Sequence, residues 1–176
     1  DCNCVLEDRS GNLWIGTNGN GLLYYNRHTG QYRKYRHDPA DPSSISSNIV
    51  VCLENDADGN LWIGTYVGGL DCFDGNRFKH YRPQTDSLKE LSNNSVYSLH
   101  ADEAGNLWIG TLGGGLDCLN LKTGEWSHYY SGDPQNPLGS DYIYSISKGR
   151  KDELLIGTSL GVNMLDTKSG RISSFK

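Results

Sequence analysis

Residues 11–17 read GNLWIGT, and the same seven residues recur at 59–65 and at 105–111, followed by a degraded copy, DELLIGT, at 152–158. The matching positions Trp14, Trp62, Trp108 and Leu155 are separated by 48, 46 and 47 residues. A fixed period of this length is the sequence signature of a protein built from repeated supersecondary units. Four copies of one unit therefore fill the 176 residues of the chain.

Each unit contains four short apolar segments separated by turn residues, which is the pattern of antiparallel β-strands. An Asp-containing turn such as 56–59 precedes the Leu-Trp-Ile segment, a Gly-rich loop follows it, and a tight turn such as TKSG at 167–170 joins the last two strands. Four strands in about 47 residues are typical of one β-propeller blade. The sequence predicts an all-β fold, a β-propeller or propeller segment over residues 1–176, with blades at 2–35, 49–81, 95–130 and 142–176.

A four-stranded sheet has two faces and must bury them against neighbouring sheets. The middle residue of the Leu-Trp-Ile segment is a large side chain in an identical context in the first three units, and Leu155 takes its place in the fourth. We therefore predict that these residues form the core between blades rather than a stacking surface for a ligand: Trp14, Trp62, Trp108 and Leu155.

Composition excludes several classes of function. The net charge is −5, and the 16 basic residues are scattered singly, whereas nucleic-acid binding requires a clustered basic face. No apolar run approaches the roughly 18 residues of a membrane span, so we expect no membrane contact by this chain. The N-terminal residues DCNCVLEDRS do not have the basic and then apolar pattern of a signal peptide.

The five cysteines form no CxxC pair, and small buried strand residues are the favoured interpretation over redox chemistry. The histidines have no metal-ligand spacing, and we predict neither a metal nor a cofactor. His80 and His128 occupy matching positions on the fourth strand, where we expect them to face water. Asp56-Ala57-Asp58-Gly59 resembles the start of a calcium loop but lacks the downstream Glu, so a hairpin turn is favoured.

The full string (V/I)xxLxxDxxGNLWIGTxxGGLxxxN, followed by TGxxxxY and by DP and S-N-N elements in the loops, closely resembles the two-component regulator propeller repeat. The resemblance covers essentially the whole chain, although the fourth unit has Leu155 for Trp and Asp152-Glu153 for Gly-Asn. It implies the periplasmic sensor region of a bacterial hybrid two-component system, responding to glycan-derived oligosaccharide. Any histidine kinase activity would reside outside this chain, which the resemblance implies is a portion of a larger sensor.

The alternation of strand directions places the Gly-rich loops and the long connections between blades on one face. Loops on a rigid scaffold commonly carry function, so we expect a ligand to meet this face near the central axis. The polar and aromatic residues there that could hydrogen-bond to a sugar or stack on it are Asn18, Arg36, Tyr66, Arg82 and Tyr142.

Polar residues near the start of the third strand recur in three units, as Asp71, Asp117 and Asn163, with Leu23 in the first unit. A ring of such side chains could hold a cation. Each could equally cap the loop that precedes it, and we favour the cap because Asp and Asn commonly fix turns in this way.

Three functions from different classes remain open. The leading hypothesis is a non-catalytic sensing propeller that binds an oligosaccharide. The rival is a propeller enzyme, a glycosidase or lyase, whose non-repeated carboxylates would come from Asp86, Glu90 and Asp133. The third is a scaffold that associates with itself or with neighbouring propeller blades, because a terminal blade with an uncovered apolar face is adhesive.

Overall fold

The structure, a computed structural model, describes residues 1–84 and 89–175. Every regular element in these two stretches is a β-strand. The strands are β1 (Cys2–Glu7), β2 (Leu13–Thr17), β3 (Leu22–Tyr25), β4 (Tyr32–Tyr35), β5 (Val50–Asn55), β6 (Leu61–Thr65), β7 (Leu70–Phe73), β8 (Phe78–Tyr81), β9 (Val96–Ala101), β10 (Asn106–Thr111), β11 (Leu116–Asn120), β12 (Trp126–Tyr129), β13 (Ile143–Lys148), β14 (Glu153–Thr158), β15 (Gly161–Asp166) and β16 (Ile172–Phe175).

Four consecutive strands form each of four separate sheets, in the order first, second, third and fourth. All neighbouring strands in these sheets are antiparallel. We call the sheets blade 1 (β1–β4), blade 2 (β5–β8), blade 3 (β9–β12) and blade 4 (β13–β16). The first strands of adjacent blades contact one another, as β1 with β5, β5 with β9 and β9 with β13, so they lie innermost. The predicted all-β propeller of four-stranded blades is confirmed.

Each blade has a trailing face, which packs on the next blade in the chain, and a leading face, which packs on the preceding one. Between blades 2 and 3 the trailing face contributes Trp62 and Leu70, and the leading face contributes Leu107 and Ile109. The repeated tryptophans all lie in cores of this kind, two fully buried and the first half-buried: Trp62, Trp108 and Trp14. Burial of large apolar side chains is the main favourable contribution to stacking one sheet on the next.

The glycine of GNLWIGT is required by this stacking. A Cβ at Gly64 would overlap the Cys52 sulfur of its own blade and the Val96 side chain of the next blade. Gly16 is confined in the same way by Cys4 and Val50. The glycine therefore lets the first strand of the following blade approach the second strand closely, which fixes the spacing between blades.

Leu155 departs from its predicted place in a core. The side chain lies on the trailing face of blade 4 and is 39% exposed. Its counterparts in blades 1 to 3 are covered by a following sheet, whereas the described chain places no sheet over blade 4. The prediction for this residue is therefore wrong, because it assumed a neighbour on both faces of every blade.

All five cysteines are free thiols. Burial raises the pKa of Cys4 to about 11 and that of Cys118 to about 12, so these thiols stay protonated and pack as small apolar groups. Cys2 differs from the favoured interpretation because it is exposed, on the leading face of blade 1.

Candidate functional site

A β-bulge interrupts the first strand of every blade at the same position. In β1 the pairing with β2 skips Asn3, and in β5 it skips Val51. The corresponding skipped residues of β9 and β13 are Tyr97 and Tyr144. Bulges re-aim a side chain out of the sheet and are common next to functional sites. Since the first strands are innermost, the bulges turn one residue per blade toward the central axis.

The bulged residues form part of a groove on the face that carries the long loops. It has a volume of about 510 Å³ and spans blades 1 to 3. We call it the axial groove, and its lining residues are Asn3, Asn18, Ile49, Val51, Tyr66 and Tyr97. Every one of these side chains is uncharged at neutral pH, and the set combines two amides with two phenol rings.

The Gly-rich loops bring Asn18 and Tyr66 into the axial groove. In each blade the Thr that ends the second strand folds its hydroxyl back onto the loop, as Thr65 Oγ1 donates to the carbonyl of Gly69 at 2.8 Å. The following residue is then held against the start of a first strand, and the Tyr66 amide donates to the carbonyl of Ile49 at 3.1 Å. The Tyr66 ring meets the Tyr97 ring edge to face, with centroids 6.5 Å apart. The groove is therefore built on fixed backbone.

The structure separates the five residues predicted to bind a ligand. Asn18 and Tyr66 lie together in the axial groove. Tyr142 is exposed at the start of β13, and its ring approaches Gly113 in the loop of blade 3. Arg82 is held by its own blade, since its Nε donates to the carbonyl of Gly68 at 3.1 Å.

Arg36, the remaining predicted residue, lies in a different place. It lines a hollow of about 390 Å³ on the leading face of blade 1, together with Cys2, Leu23 and Lys34. Its guanidinium also donates to the side-chain carbonyl of Asn20. The prediction of one site that includes both arginines therefore does not describe the axial groove.

Four residues of the groove were missed by the sequence analysis: Asn3, Ile49, Val51 and Tyr97. Three of them, Asn3, Val51 and Tyr97, lie within strands, where a regular alternation would turn them into a sheet face. The signal that could have found them is the repeat alignment, in which Asn3, Val51, Tyr97 and Tyr144 share one column. That column varies in size and polarity from blade to blade.

The polar residues near the start of the third strands fix the connections between blades. Oδ2 of Asp71 accepts the Ser46 amide at 2.8 Å, and Oδ2 of Asp117 accepts the Ser92 amide at 2.8 Å. In blade 4, Oδ1 of Asn163 accepts the Gly139 amide at 3.0 Å. These contacts are caps, as the sequence favours, but the loop that is capped is the connection between blades and not the Gly-rich loop that directly precedes the third strand. They occupy the carboxylates with donors from the protein.

The histidines of the fourth strands correct a prediction. Instead of facing water, His80 and His128 bind the same carboxylates through Nδ1, at 2.6 Å from Asp71 and 2.7 Å from Asp117. The His128 side chain is only 8% exposed. The prediction from the outer-strand position is wrong because the buried Asp of the adjacent third strand binds each ring, and for His80 the connection between blades also covers it.

His80 links three parts of the chain. Its Nε2 lies 3.0 Å from the carbonyl oxygen of Pro42, in the connection between blades 1 and 2. Both partners are acceptors when Asp71 is ionised, and an imidazolium, which donates from both nitrogens, satisfies both contacts. The hydrogen bond with Asp71 accordingly raises the pKa of His80 above its ordinary value.

The turn that resembles a calcium loop is closed by its own hydrogen bonds. Oδ1 of Asp56 accepts the amides of Asp58 and Asn60, at 3.0 and 2.9 Å. Its Oδ2 accepts the Asn60 side chain and the indole N–H of Trp62, both at 2.9 Å. The favoured interpretation as a turn agrees with these contacts. The DxxGNLW spacing is explained because one Asp both closes the turn and orients the Trp.

The carboxylates considered for an enzyme are not assembled into a catalytic pair by the described part of the chain. Asp133 accepts the amides of Gln135 and Asn136 and so caps a turn. Glu90 has a buried Oε2 with no hydrogen-bond partner in the described structure. Asp86 lies outside the described residues.

Residues 1–84 and 89–175 bring no three His, Cys, Asp or Glu side chains together in a way that could hold a metal ion. The same stretches contain no helix of the length and hydrophobicity needed to cross a membrane.

Comparison with protein families gives one match, whose description is two component regulator propeller. It covers residues 1–19, 44–67 and 90–113, which contain all three GNLWIGT copies and the ends of the long loops before blades 2 and 3. No curated protein sequence matches the chain.

Similar solved structures include the extracellular domain of BT3049 from B. thetaiotaomicron, which is assigned to a hybrid two component system. It is 26% identical over 98% of this chain and 23% of that chain, with a TM-score of 0.82. The extracellular domain of BT4673 from the same organism, assigned to a one component or hybrid two component system, is 21% identical over 99% and 25%, with a TM-score of 0.80. The chain thus spans about a quarter of these two proteins.

A streptogramin B lyase structure shares the fold at 19% identity and a TM-score of 0.71. There the match covers 99% of this chain and 54% of the lyase. At this level of identity the likeness shows the architecture alone.

Proposed function

The chain carries the repeats of the two-component regulator propeller family, and from this premise we propose that it is a non-catalytic sensor propeller that binds a glycan-derived oligosaccharide. The proposal locates it outside the cytoplasm, in the periplasm, as part of the sensor region of a hybrid two-component system. Its similarity to the extracellular domain of BT3049 supports the sensor role. The kinase that such a sensor controls would lie elsewhere in the system.

The observation that carries the proposal is the composition of the axial groove. Sugars present apolar C–H faces that stack on aromatic rings and hydroxyls that exchange hydrogen bonds with amides. Tyr66 and Tyr97 supply the rings, and Asn3 and Asn18 supply the amides. Because the lining is uncharged, we expect a neutral oligosaccharide to bind in preference to a sulfated or uronic one.

The non-catalytic part of the proposal has its own support. Glycoside hydrolysis usually requires two carboxyl groups on either side of the scissile bond. The lining of the axial groove contains no Asp or Glu. Asp71 and Asp117, two buried carboxylates of blades 2 and 3, already accept hydrogen bonds from connecting loops.

Calorimetric titration with oligosaccharides released from xylan, arabinan, mannan, pectin and chondroitin sulfate tests the proposal. We expect binding of a neutral member of this panel without release of product. Removing one stacking ring, in Tyr66→Ala, should weaken binding about tenfold, since a ring contact is worth about 1.5 kcal/mol.

Tyr32→Ala is the matched control, because Tyr32 is also exposed but lies on β4, at the outer rim of blade 1. Equal loss of affinity in both variants would place the ligand outside the axial groove. Absence of binding across the panel would refute the oligosaccharide ligand, and cleavage of any member would refute the non-catalytic role.

A further inference from the structure

Segment 46–49 leads from the connection between blades 1 and 2 into β5, and it lies against the Gly-rich loop of blade 1. The amides of Gly19 and Gly21 in that loop donate to the carbonyl of Asn48, at 3.0 and 2.8 Å. The loop that brings Asn18 into the axial groove is therefore bonded to this segment.

The same segment also holds the Gly-rich loop of blade 2. The Ser47 hydroxyl donates to the carbonyl of Tyr66 at 3.3 Å and accepts the Ile49 amide at 3.1 Å. The Tyr66 amide donates back to the carbonyl of Ile49 at 3.1 Å. Asn18, Ile49 and Tyr66 are three of the six residues that line the axial groove. The position of segment 46–49 therefore sets the position of one wall of the groove.

The segment is anchored by the pair that His80 forms with Asp71. Oδ2 of Asp71 accepts the amide of Ser46, at the start of the segment, at 2.8 Å. Oδ1 of the same carboxylate lies 2.6 Å from Nδ1 of His80, and Nε2 of that ring lies 3.0 Å from the carbonyl oxygen of Pro42. The pair thus holds the connection at two points, one of which comes directly before the wall of the groove.

Both contacts of the His80 ring depend on one proton. With this proton bound, one ring nitrogen donates to the Asp71 carboxylate and the other donates to the carbonyl of Pro42. A neutral imidazole has a single N–H, so after loss of the proton either the carboxylate or the carbonyl is left without its donor. The hold of the pair on the connection is therefore weaker when the proton is absent.

The other charged groups around the pair do not replace this proton. Arg82, two residues further along the chain, opposes protonation of the His80 ring. Asp41, next to Pro42 in the connection, accepts hydrogen bonds within its own turn. His37 lies in the same connection, but its Nδ1 meets one acceptor, a backbone carbonyl at 2.9 Å, and a neutral ring can make that contact.

We propose that the His80–Asp71 pair positions one wall of the axial groove, and that loss of its shared proton at higher pH releases segment 46–49 and loosens the groove. The direction follows from the raised pKa of His80: the wall is held below the ordinary pKa of about 6.5 and is released as the pH rises through the raised value. The consequence for ligand affinity rests on the function proposed above, whereas the loosening itself can be measured without ligand.

The joint between blades 3 and 4 supplies a matched comparison within the same molecule. The amides of Gly113 and Gly115 donate to the carbonyl of Asp141 at 2.9 and 3.0 Å, as the two glycine amides of blade 1 do to Asn48. That connection is anchored by Asn163, which pairs with Ser174 where blade 2 has histidine. Neither an amide nor a hydroxyl of this kind titrates between about pH 6 and about pH 9, so this joint should not respond to pH.

Hydrogen exchange of the intact, ligand-free chain tests the inference. Exchange is followed by NMR at about pH 6 and about pH 9, and each rate is divided by the intrinsic rate at that pH. The protection of the Tyr66 and Gly21 amides should fall about tenfold, which corresponds to one lost hydrogen bond of a charged group. The Gly113 and Gly115 amides should keep their protection.

Two variants assign the response to the pair. In His80→Gln, protection at Tyr66 and Gly21 should be low at both pH values and should no longer depend on pH. His100→Gln is the matched control: His100 is 21% exposed against 24% for His80 and lies 4.0 Å from Glu54, but it is beside the turn at the far end of β9. It should behave as the parent does. Equal pH dependence at both joints, or a response that persists in His80→Gln, would overturn the inference.

Calorimetric titration with the neutral oligosaccharides of the panel at the same two pH values extends the test to the ligand. The affinity of the parent should be about tenfold lower at the higher pH, and the affinity of His80→Gln should be the same at both. Absence of binding at both pH values would refute the oligosaccharide ligand and leave the exchange result to decide the positioning role. Binding that is independent of pH, beside exchange that depends on it, would show that the pair does not position the surface that binds the ligand.

Discussion

Replacing Asp71 by leucine should loosen the connection between blades 1 and 2. The substitution copies the residue that blade 1 carries at the equivalent position, Leu23. The Asp71 carboxylate is fully buried and accepts the Ser46 amide at 2.8 Å. It also pairs with Nδ1 of His80 at 2.6 Å, while the other nitrogen of that ring meets Pro42. One carboxylate therefore anchors two points of the same connection.

The expected loss follows from these contacts. A hydrogen bond to a charged group contributes about 1.5 to 3 kcal/mol, so removing two costs about 3 to 6 kcal/mol. The variant recovers part of this because it no longer buries a carboxylate, although the Ser46 amide is left without its acceptor. We expect a net destabilisation of about 3 kcal/mol. In a domain of this size that lowers the melting temperature by about 6 to 12 °C.

Urea and thermal unfolding, followed by tryptophan fluorescence, measure the global effect. Hydrogen exchange at the Ser46 amide measures the local one, and we expect this amide to lose protection. Asp74→Asn is the control. Asp74 belongs to the same blade but caps the exposed turn that directly follows β7. A loss below about 1 kcal/mol with the Ser46 amide still protected would refute the reasoning that the carboxylate holds the loop.

The remaining predictions concern the other repeated contacts. The pKa of His80 is raised, so its contribution to the free energy of unfolding should be complete below its ordinary pKa of about 6.5. That contribution should fall as the pH rises through the raised value. Free energies of unfolding measured from about pH 6 to about pH 9 should therefore decline in the parent and stay flatter in His80→Gln. Asp102→Ala should destabilise by about 2 kcal/mol more than Asp8→Ala, because the Asp102 carboxylate also accepts the Trp108 indole at 2.8 Å and a side-chain amide. Matched urea curves decide this, and equal losses would show that the indole contact contributes nothing.

The fold could be predicted from the sequence because each motif residue makes the same contact in successive blades. Trp62 fills the space between sheets, Asp56 closes the turn before it, and Gly64 admits the next strand. Because the same contact recurs in successive blades, the same residue type recurs in the sequence. The number of these repeats then gives the number of blades. A capping role could be predicted for the same reason, since Asp71 and Asp117 recur at one position, although the loop that they cap is the connection between blades.

The axial groove was less accessible to prediction because it depends on strand register. Asn3 and Tyr97 enter the groove only because the bulge shifts the pairing by one residue, and a one-residue shift moves a side chain to a different surface. The positions of His80 and Arg82 depend in turn on backbone carbonyls in connecting loops. Such partners leave no signature in the residue types of a single sequence.

The departures from the repeat lie in the two terminal blades of the chain, blade 1 and blade 4. Blade 4 lacks both the indole and its partner carboxylate, since Leu155 replaces Trp and Gly149 occupies the Asp position of the turn, its amide donating to the carbonyl of Glu153 at 2.9 Å. Blade 1 lacks the carboxylate and the histidine together, with Leu23 opposite Lys34. Loss of both members of a pair leaves no buried group without a partner, which is the condition for tolerating the change.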